Sequence, residues 1–220
     1  MNLLAFELST ERCSVALLLD GEVRQRAETG NRPSRRILAM ADELLAEAGL
    51  RVTEMDAIAF GRGPGAFTGL RIAAGVAQGL AFGAELPVVP VSSLAALAQR
   101  AVEDHGAEQV VAVLDARMNE IYAGRFRAGA NGLVQAAGDE QLLPPEMLEI
   151  PGRDWIGAGP GWNAYASLSG KPASVLPDVF PDAAAVARLG AIVFAAEGGV
   201  NAADAVPVYL RDTVAWQKGA

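Results

Sequence analysis

A glycine-rich segment at residues 61–71 contains the residue types that bind anions through backbone amides. Four glycines and a proline separate an apolar strand-like run at 57–60 from an apolar helix-like run at 72–84. Glycine lets another backbone or a ligand approach closely, and the start of a helix adds the positive end of its dipole. The segment is therefore a candidate interface or nucleotide contact. Its candidate residues are Gly61, Arg62, Gly63, Pro64, Gly65, Thr68 and Arg71.

The spacing in this segment does not fit the standard phosphate-binding motifs. A Walker loop requires a lysine after its last glycine, and residues 61–71 contain none. The segment matches a relaxed G-x-G-x-x-A dinucleotide pattern, but the acid at the right distance, Glu85, precedes the next predicted strand instead of ending it. A simpler interpretation is a tight strand-to-helix turn in which Thr68 caps the helix. The sequence leaves these alternatives open.

Few residues are available for metal or nucleophilic chemistry. One histidine and one cysteine cannot form a zinc site of common type. His105 precedes a glycine at a predicted helix end, and Cys13 lies in an alternating apolar strand pattern that indicates a buried structural thiol. No G-x-S-x-G elbow occurs, so a peptidase is disfavoured. Asp115 and Arg117 follow a predicted strand and fit either ligand contact or a local salt-bridged turn.

Composition excludes several classes of protein. The 220 residues are 51% hydrophobic and 20% charged, which is enough to bury a substantial core. A net charge of −8 disfavours independent binding of nucleic acid. A single cysteine fits a reducing compartment, the chain starts directly with a strand pattern, and run 72–84 is shorter than the roughly 20 residues that span a bilayer. We expect a soluble cytoplasmic protein without membrane contact.

The predicted elements follow the order βββαβαβα, and the same order returns after residue 107. This duplication predicts an α/β fold of two tandem ribonuclease-H-like lobes, as in the actin, Hsp70 and sugar-kinase superfamily. The predicted domains are a first lobe at 1–106 that docks a partner, a second, degenerate lobe at 107–205, and a C-terminal tail at 206–220 that packs on the body.

Two apolar helices of the first lobe are candidates for protein docking. Gly75, Gly79 and Gly83 are spaced by four and share one helix face. Each glycine costs about 1 kcal/mol relative to alanine, and close approach of another backbone would offset that cost. A core helix within one chain is the alternative. The predicted partner-binding residues are Ile37, Leu38, Ala41, Leu44, Leu45, Ile72, Val76 and Gly79.

Several segments together resemble the bacterial TsaB (YeaZ) family over essentially the whole chain. They are the glycine-rich segment 61–71, the run D-A-R-M-N-E-I-Y at 115–122, the opening strands, and the tail from Pro207 to Trp216. The resemblance implies a non-catalytic subunit that docks through its first lobe on a TsaD-like threonylcarbamoyl transferase. That transferase modifies the adenosine beside the anticodon of ANN-decoding tRNAs.

The resemblance also implies the composition of the assembly. A TsaE-like ATPase, ATP and a metal complete the partner complex, the isolated chain needs no cofactor, and tRNA is reached only through the complex. Without its partner the chain is expected to form homodimers through the same surface. The sequence departs from the family's usual Asp-Thr at Glu7 and Leu8. In the tail, Tyr209 and Trp216 fit either partner contacts or an aromatic clamp onto the body.

Two other functions are compatible with parts of the pattern. An autonomous ATP-dependent phosphotransferase of the sugar-kinase type would use the fold and the glycine-rich segment. A dinucleotide-dependent oxidoreductase would use the relaxed glycine pattern alone. Both predict that the isolated chain binds a nucleotide.

Overall fold

Two mixed β-sheets organise the chain, and the computed structural model describes residues 1–30, 33–165, 167–168 and 172–211. The first sheet has the strand order β3-β2-β1-β4-β5. Strands β1 to β3 pair antiparallel, and β4 and β5 extend the sheet in parallel with β1. Its strands are β1 (Asn2–Glu7), β2 (Arg12–Leu19), β3 (Glu22–Thr29), β4 (Ala57–Gly63) and β5 (Val88–Ser92).

The central strands of this sheet are buried on both faces, which explains their nearly continuous apolar sequences. The predicted hairpin turn between β2 and β3 is confirmed, because Asp20 and Gly21 both have positive φ angles, of 49° and 93°. This turn fixes the register in which Leu18 of β2 lies opposite Val23 of β3.

Helices cover both faces of the first sheet. On one face, α1 (Ile37–Ala48) and α2 (Phe67–Ala84) share a core cluster with β1, β2 and β4. On the other face lies α5 (Ala183–Glu197), an alanine-rich helix that comes from the second half of the chain. The predicted stop of α1 at Gly49 is confirmed, because this residue has a left-handed φ of 67°.

The second sheet has the order β11-β10-β6-β7-β8, with β9 pairing on β7. Its first three strands are antiparallel and β10 and β11 continue in parallel, as in the first sheet. The predicted duplicated ribonuclease-H-like fold is thereby confirmed. The strands are β6 (Gln109–Arg117), β7 (Glu120–Ala128), β8 (Val134–Ala136), β9 (Gln141–Leu143), β10 (Ile156–Ala158) and β11 (Ser174–Leu176), with a short α4 (Gly161–Ala164) after β10.

Each sheet is covered in part by a helix from the other side of the predicted domain boundary. Helix α3 (Ser93–His105) precedes the predicted division at residue 106, yet its Leu94 and Leu97 pack into the core of the second sheet. Helix α5 follows that division and covers the first sheet. The boundary at residues 106/107 therefore separates strands but not the helices that cover them.

Some local predictions need correction. Helix α2 begins at Phe67 with Ala66 at its N-cap and no side-chain cap, so the predicted cap by Thr68 is wrong. The turn is fixed instead by the Ala66 amide, which donates to the Ser9 carbonyl at 2.8 Å. The sequence does not predict strand β9, because three residues are too few to show a hydrophobic alternation. No helix within the described ranges is both long and apolar enough to traverse a bilayer.

The N-terminus of α5 is held by a buried carboxylate. Asp182 is fully buried and accepts hydrogen bonds from the Ala185 amide at 3.0 Å and from Gln25 at 3.2 Å. The Arg100 guanidinium of α3 lies 2.8 Å from the same carboxylate. This residue therefore joins α3, α5 and the first sheet.

We expect Asp182→Ala to lower the free energy of unfolding by about 2–4 kcal/mol, because it removes a helix cap and the buried hydrogen bonds that Gln25 and Arg100 make to this carboxylate. Urea denaturation measures the change. Asp104→Ala is the matched control, since Asp104 pairs with the same arginine at the surface, and it should change stability by less than about 0.5 kcal/mol. Equal losses in the two variants would contradict the assignment.

Candidate functional site

The glycine-rich segment is packed against its own chain. Gly61 and Gly63 belong to the end of β4, so the loop proper is only residues 64–66. A Cβ at Gly61 would overlap the Glu7 carboxyl, one at Gly65 would lie 2.5 Å from Ser9 Cβ, and one at Gly69 would overlap the Leu8 carbonyl. The close backbone approach that these glycines permit is therefore made by the connection between β1 and β2.

A buried carboxyl group fills the space beneath Gly61. Glu7 at the end of β1 has no exposed surface and accepts hydrogen bonds from the Ser9 amide at 2.5 Å and from the Ser93 hydroxyl at 2.8 Å. Burial raises the pKa of this carboxyl above its ordinary value of 4.5, and the charge of Asp182 adds to the increase. In this fold class ligands bind at the carboxyl ends of the strands, and here that place is taken by a side chain.

Side chains connect the glycine-rich segment to the second lobe. Arg62 lies 3.9 Å from the carboxylate of Glu140, which follows β8 in the second lobe. The Ser92 hydroxyl donates to the same carboxylate. The carbonyl of Arg62 accepts a hydrogen bond from Val208 at 2.8 Å. The glycine-rich segment, the second lobe and the C-terminal segment thus meet at Arg62.

The C-terminal segment crosses from α2 to the second lobe. The Tyr209 ring lies 5.5 Å from that of Phe67, and its hydroxyl accepts a hydrogen bond from Arg71 at 3.3 Å. The Arg211 guanidinium lies 2.6 Å from Glu120 of β7 and donates to the Ala116 carbonyl. Tyr209 therefore clamps the tail on the body, whereas Trp216 lies outside the described residues.

The turn between β6 and β7 contains a local ion pair. The Asp115 carboxylate accepts hydrogen bonds from the Arg117 amide and from the Tyr165 hydroxyl, both at 2.7 Å, and contacts the Arg117 guanidinium at 3.0 Å. Of the two predicted alternatives, the structure shows the salt-bridged turn.

The histidine and the cysteine occupy the predicted environments. His105 is exposed at the end of α3, followed by Gly106 with a left-handed φ of 65°. Cys13 is buried in β2, and burial together with the charge of Glu28 raises the pKa of its thiol to about 12. Within the described ranges no three His, Cys, Asp or Glu side chains are grouped as metal ligands.

The outer face of α2 is open. A Cβ added at Gly75, Gly79 or Gly83 would meet no other atom within 4 Å. Phe82 on the same helix is 82% exposed, and Leu38 on α1 is 51% exposed. We call this surface, defined by the three glycines and Phe82, the glycine face.

An apolar groove of about 300 Å³ lies beside the glycine face, between α1 and α2. Leu38, Leu45 and Leu80 are among its apolar walls, and Asp42 and Arg51 supply its charged residues. A groove of this composition suits one apolar side chain of another protein with polar contacts around it.

Half of the predicted partner-binding residues belong to the chain's own core. Their side chains pack from α1 onto the first sheet, so they are not exposed contacts in this chain, although Ala41 and Leu45 also line the groove. The remaining four lie on accessible or half-buried positions of α1 and α2. The buried residues are Ile37, Ala41, Leu44 and Leu45, and the others are Leu38, Ile72, Val76 and Gly79.

Phe82 is the exposed residue that the sequence prediction omitted. It lies seven residues after Gly75 and three after Gly79, which puts it on the same side of the helix. The signal in the sequence is this spacing, because it puts a large aromatic residue and three glycines on one helix face, which is a candidate contact surface.

Known proteins resemble the chain over nearly its whole length. The family described as "TsaD: tRNA N6-adenosine threonylcarbamoyltransferase" matches residues 28–215. The "tRNA threonylcarbamoyladenosine biosynthesis protein TsaB" of Haemophilus influenzae is 42% identical, over 99% of this chain and 97% of its own length. The protein of the same name from Escherichia coli is 41% identical, over 99% and 98%. The chain belongs to the TsaB family.

Solved structures of TsaB-like proteins have the same fold. YeaZ from Pseudomonas aeruginosa superposes with a TM-score of 0.91 at 46% identity, covering 95% of this chain and 99% of its own. A second structure, described as an uncharacterised protein with similarity to peptidase YeaZ from Pseudomonas aeruginosa, has the same TM-score and identity. In this TsaB-family chain the Glu7 side chain fills the space beneath Gly61, whereas the outer face of α2 is open.

Glu7 should make stability depend on pH. Its folded pKa is raised above 4.5, so the unfolded chain loses this proton first as the pH rises, and the free energy of unfolding falls from about pH 4.5 upward until the folded pKa is passed. Glu7→Gln, which keeps an acceptor for the Ser9 amide, should remove that fall. Urea denaturation at a series of pH values measures it.

Glu54→Gln is the control for this titration. The amide and side chain of Arg51 lower the pKa of the exposed Glu54, so its contribution is lost only as the pH falls. Its variant should leave the profile above pH 4.5 unchanged. If the free energy of unfolding fell with the same slope in Glu7→Gln and in the wild type above pH 4.5, the assignment of Glu7 would be contradicted.

Two glycines of α2 should respond oppositely to alanine. Gly69→Ala should lower the free energy of unfolding by about 1–3 kcal/mol, because the new methyl meets the Leu8 carbonyl. Gly79→Ala should raise it by about 0.5–1 kcal/mol, because the site is open and alanine favours the helix. Urea denaturation of dilute, monomeric samples distinguishes the two, and a destabilised Gly79→Ala would contradict an open glycine face.

Proposed function

We propose that this chain is a non-catalytic subunit of the complex that forms tRNA threonylcarbamoyladenosine. In this role it binds and stabilises a TsaD-like threonylcarbamoyl transferase, which acts on the adenosine beside the anticodon of ANN-decoding tRNAs. Support comes from the names of the TsaB relatives and from the match to the transferase family, which together place the chain in this biosynthesis. The assignment of the docking surface rests on the geometry of α2.

The observation that carries the proposal is the unoccupied space around Gly75, Gly79 and Gly83. Each glycine costs about 1 kcal/mol in a helix interior, and no contact inside the described chain requires the absence of a side chain at these positions. The glycines of the β4–α2 segment differ, because the chain itself packs closely on them. A backbone from another protein at the glycine face would offset the cost.

Exposed apolar side chains beside these glycines supply the anchors that an interface needs. Phe82 and Leu38 are largely exposed, and the groove lined by Leu80 can accept an apolar side chain of the partner. Burying each large apolar side chain contributes roughly 1.5–3 kcal/mol, and a few central anchors dominate most interfaces. The patch is thus suited to stable association.

The buried groups that could take part in chemistry are engaged in holding the fold. Glu7 is enclosed under Gly61 with its oxygens hydrogen-bonded. Cys13 is buried with a raised pKa, the opposite of what a reactive thiolate requires. These placements support a binding role and argue against the peptidase description carried by one structural relative.

The proposal assigns the remaining components to the assembly. ATP and a metal belong to the partner complex, a TsaE-like ATPase joins it, and tRNA meets this chain only there. Without the transferase subunit, the glycine face pairs two copies of the chain. All these components work in the cytoplasm.

The decisive variant is Gly79→Leu. We expect it to weaken binding to the TsaD-like subunit at least tenfold, about 1.4 kcal/mol, because the side chain separates the two backbones. Its thermal midpoint should not fall, because leucine favours the helix and the site is open. Titration calorimetry with the purified partner measures the affinity.

Ala195→Leu, at the exposed end of α5, is the matched control and should bind normally. The reconstituted complex should modify tRNA while the isolated chain does not. Unchanged binding by Gly79→Leu would rule out the glycine face. Micromolar binding of ATP with magnesium by the isolated chain, or transferase turnover without the partner, would favour the autonomous phosphotransferase or another enzyme.

A further inference from the structure

Arg71 is held at the surface by two aromatic residues, through the ring of Phe67 and the hydroxyl of Tyr209. Its guanidinium carbon lies 3.9 Å from the centre of the Phe67 ring, one helical turn earlier. Its Nε donates to the Tyr209 hydroxyl at 3.3 Å, and the two rings are 5.5 Å apart. Phe67 and Tyr209 are themselves 45% and 42% exposed, so the whole cluster faces outward.

No carboxylate of the described residues forms an ion pair with Arg71. Some other arginines do have acidic partners, as Arg62, Arg188 and Arg211 show. The chain has 26 acidic and 18 basic residues, so acidic partners are in excess. The exposed Arg24, Arg35 and Arg153 also form no ion pair with a described residue. Arg71 differs from them because Phe67 and Tyr209 hold it in place beside the glycine face, which makes it a candidate for a partner outside the chain.

The rings also fix the direction of the guanidinium. Arginine presents its N–H groups in a planar fork that matches a carboxylate, and stacking on aromatic rings is its preferred support. With Nε bound to Tyr209, the terminal nitrogens of Arg71 have no hydrogen-bond partner among the described residues. A side chain ordered in advance loses little conformational entropy when it binds.

Arg71 lies at the edge of the glycine face. It precedes Gly75 by four residues, so the two positions are neighbours along the surface of α2. We propose that Arg71 receives an aspartate or glutamate carboxylate of the protein that docks on the glycine face. This inference rests on the proposed function, and it adds the charge that the partner must carry beside its contact with α2.

A protein carboxylate fits this position better than a free phosphate. Phosphate sites at helix starts use several converging backbone N–H groups. Here the Ala66 amide at the start of α2 already donates to the Ser9 carbonyl at 2.8 Å. Arg71 is thus a single guanidinium on an apolar platform, which suits one carboxylate in a protein interface.

The test compares Arg71→Met with wild type in titrations against the purified TsaD-like subunit at several salt concentrations. We expect Arg71→Met to bind roughly tenfold or more weakly, because it removes hydrogen bonds to a charged group. Its affinity should also depend less on salt than that of the wild type. Arg71→Lys, which keeps the charge but not the fork, should give an intermediate loss. Tyr209→Phe should lose less than Arg71→Met, because it keeps the ring.

Arg153→Met is the matched control, since Arg153 is an exposed arginine of the second lobe with no ion pair among the described residues. It should bind like the wild type. Wild-type affinity and salt dependence in Arg71→Met would overturn the inference while leaving the proposed function intact. Absence of binding by the wild type would overturn both. Binding of inorganic phosphate to the isolated chain, lost in Arg71→Met, would also overturn the carboxylate assignment.

Discussion

The Glu7 carboxyl sits in a space that exists only because Gly61 has no side chain, and both groups that hold it come from neighbouring elements. The Ser9 amide and the Ser93 hydroxyl bind its two oxygens, so the end of β1, the turn after it and the start of α3 are joined at one point. The close contacts of Gly65 and Gly69 with that turn depend on the same placement. The position of α2, and with it the orientation of the glycine face, follows from this packing.

The molecule thus uses glycine for two different purposes within one segment of 23 residues, from Gly61 to Gly83. At its beginning, missing side chains admit the chain's own backbone and bring β4 and α2 against β1. At its end, missing side chains leave an open surface. The local sequence does not distinguish these uses, because each is decided by what lies opposite the glycine in the fold.

Much of the fold could be predicted because its signals are local. The hairpin turn at Asp20 and Gly21, the helix stop at Gly49 and the duplicated order of elements all depend on short-range patterns. The candidate site could be predicted only in part. Apolar periodicity on α1 shows which residues share a face, but not whether that face meets the chain's own sheet, and Leu44 and Ile37 meet it. The carboxylate beneath Gly61 and the clamp on Tyr209 join residues far apart in sequence, and no local pattern encodes them.

The exchange of helices between the lobes has a consequence for how the protein is made. The five strands of the first sheet leave the ribosome early, but the helix that covers one of their faces, α5, is encoded near the end of the chain. During synthesis that apolar face therefore stays exposed until the second half of the chain has been translated. Nascent chains with such exposed apolar surface are prone to aggregate or to bind chaperones. Each half of this duplicated chain depends on a helix encoded in the other half to cover its sheet.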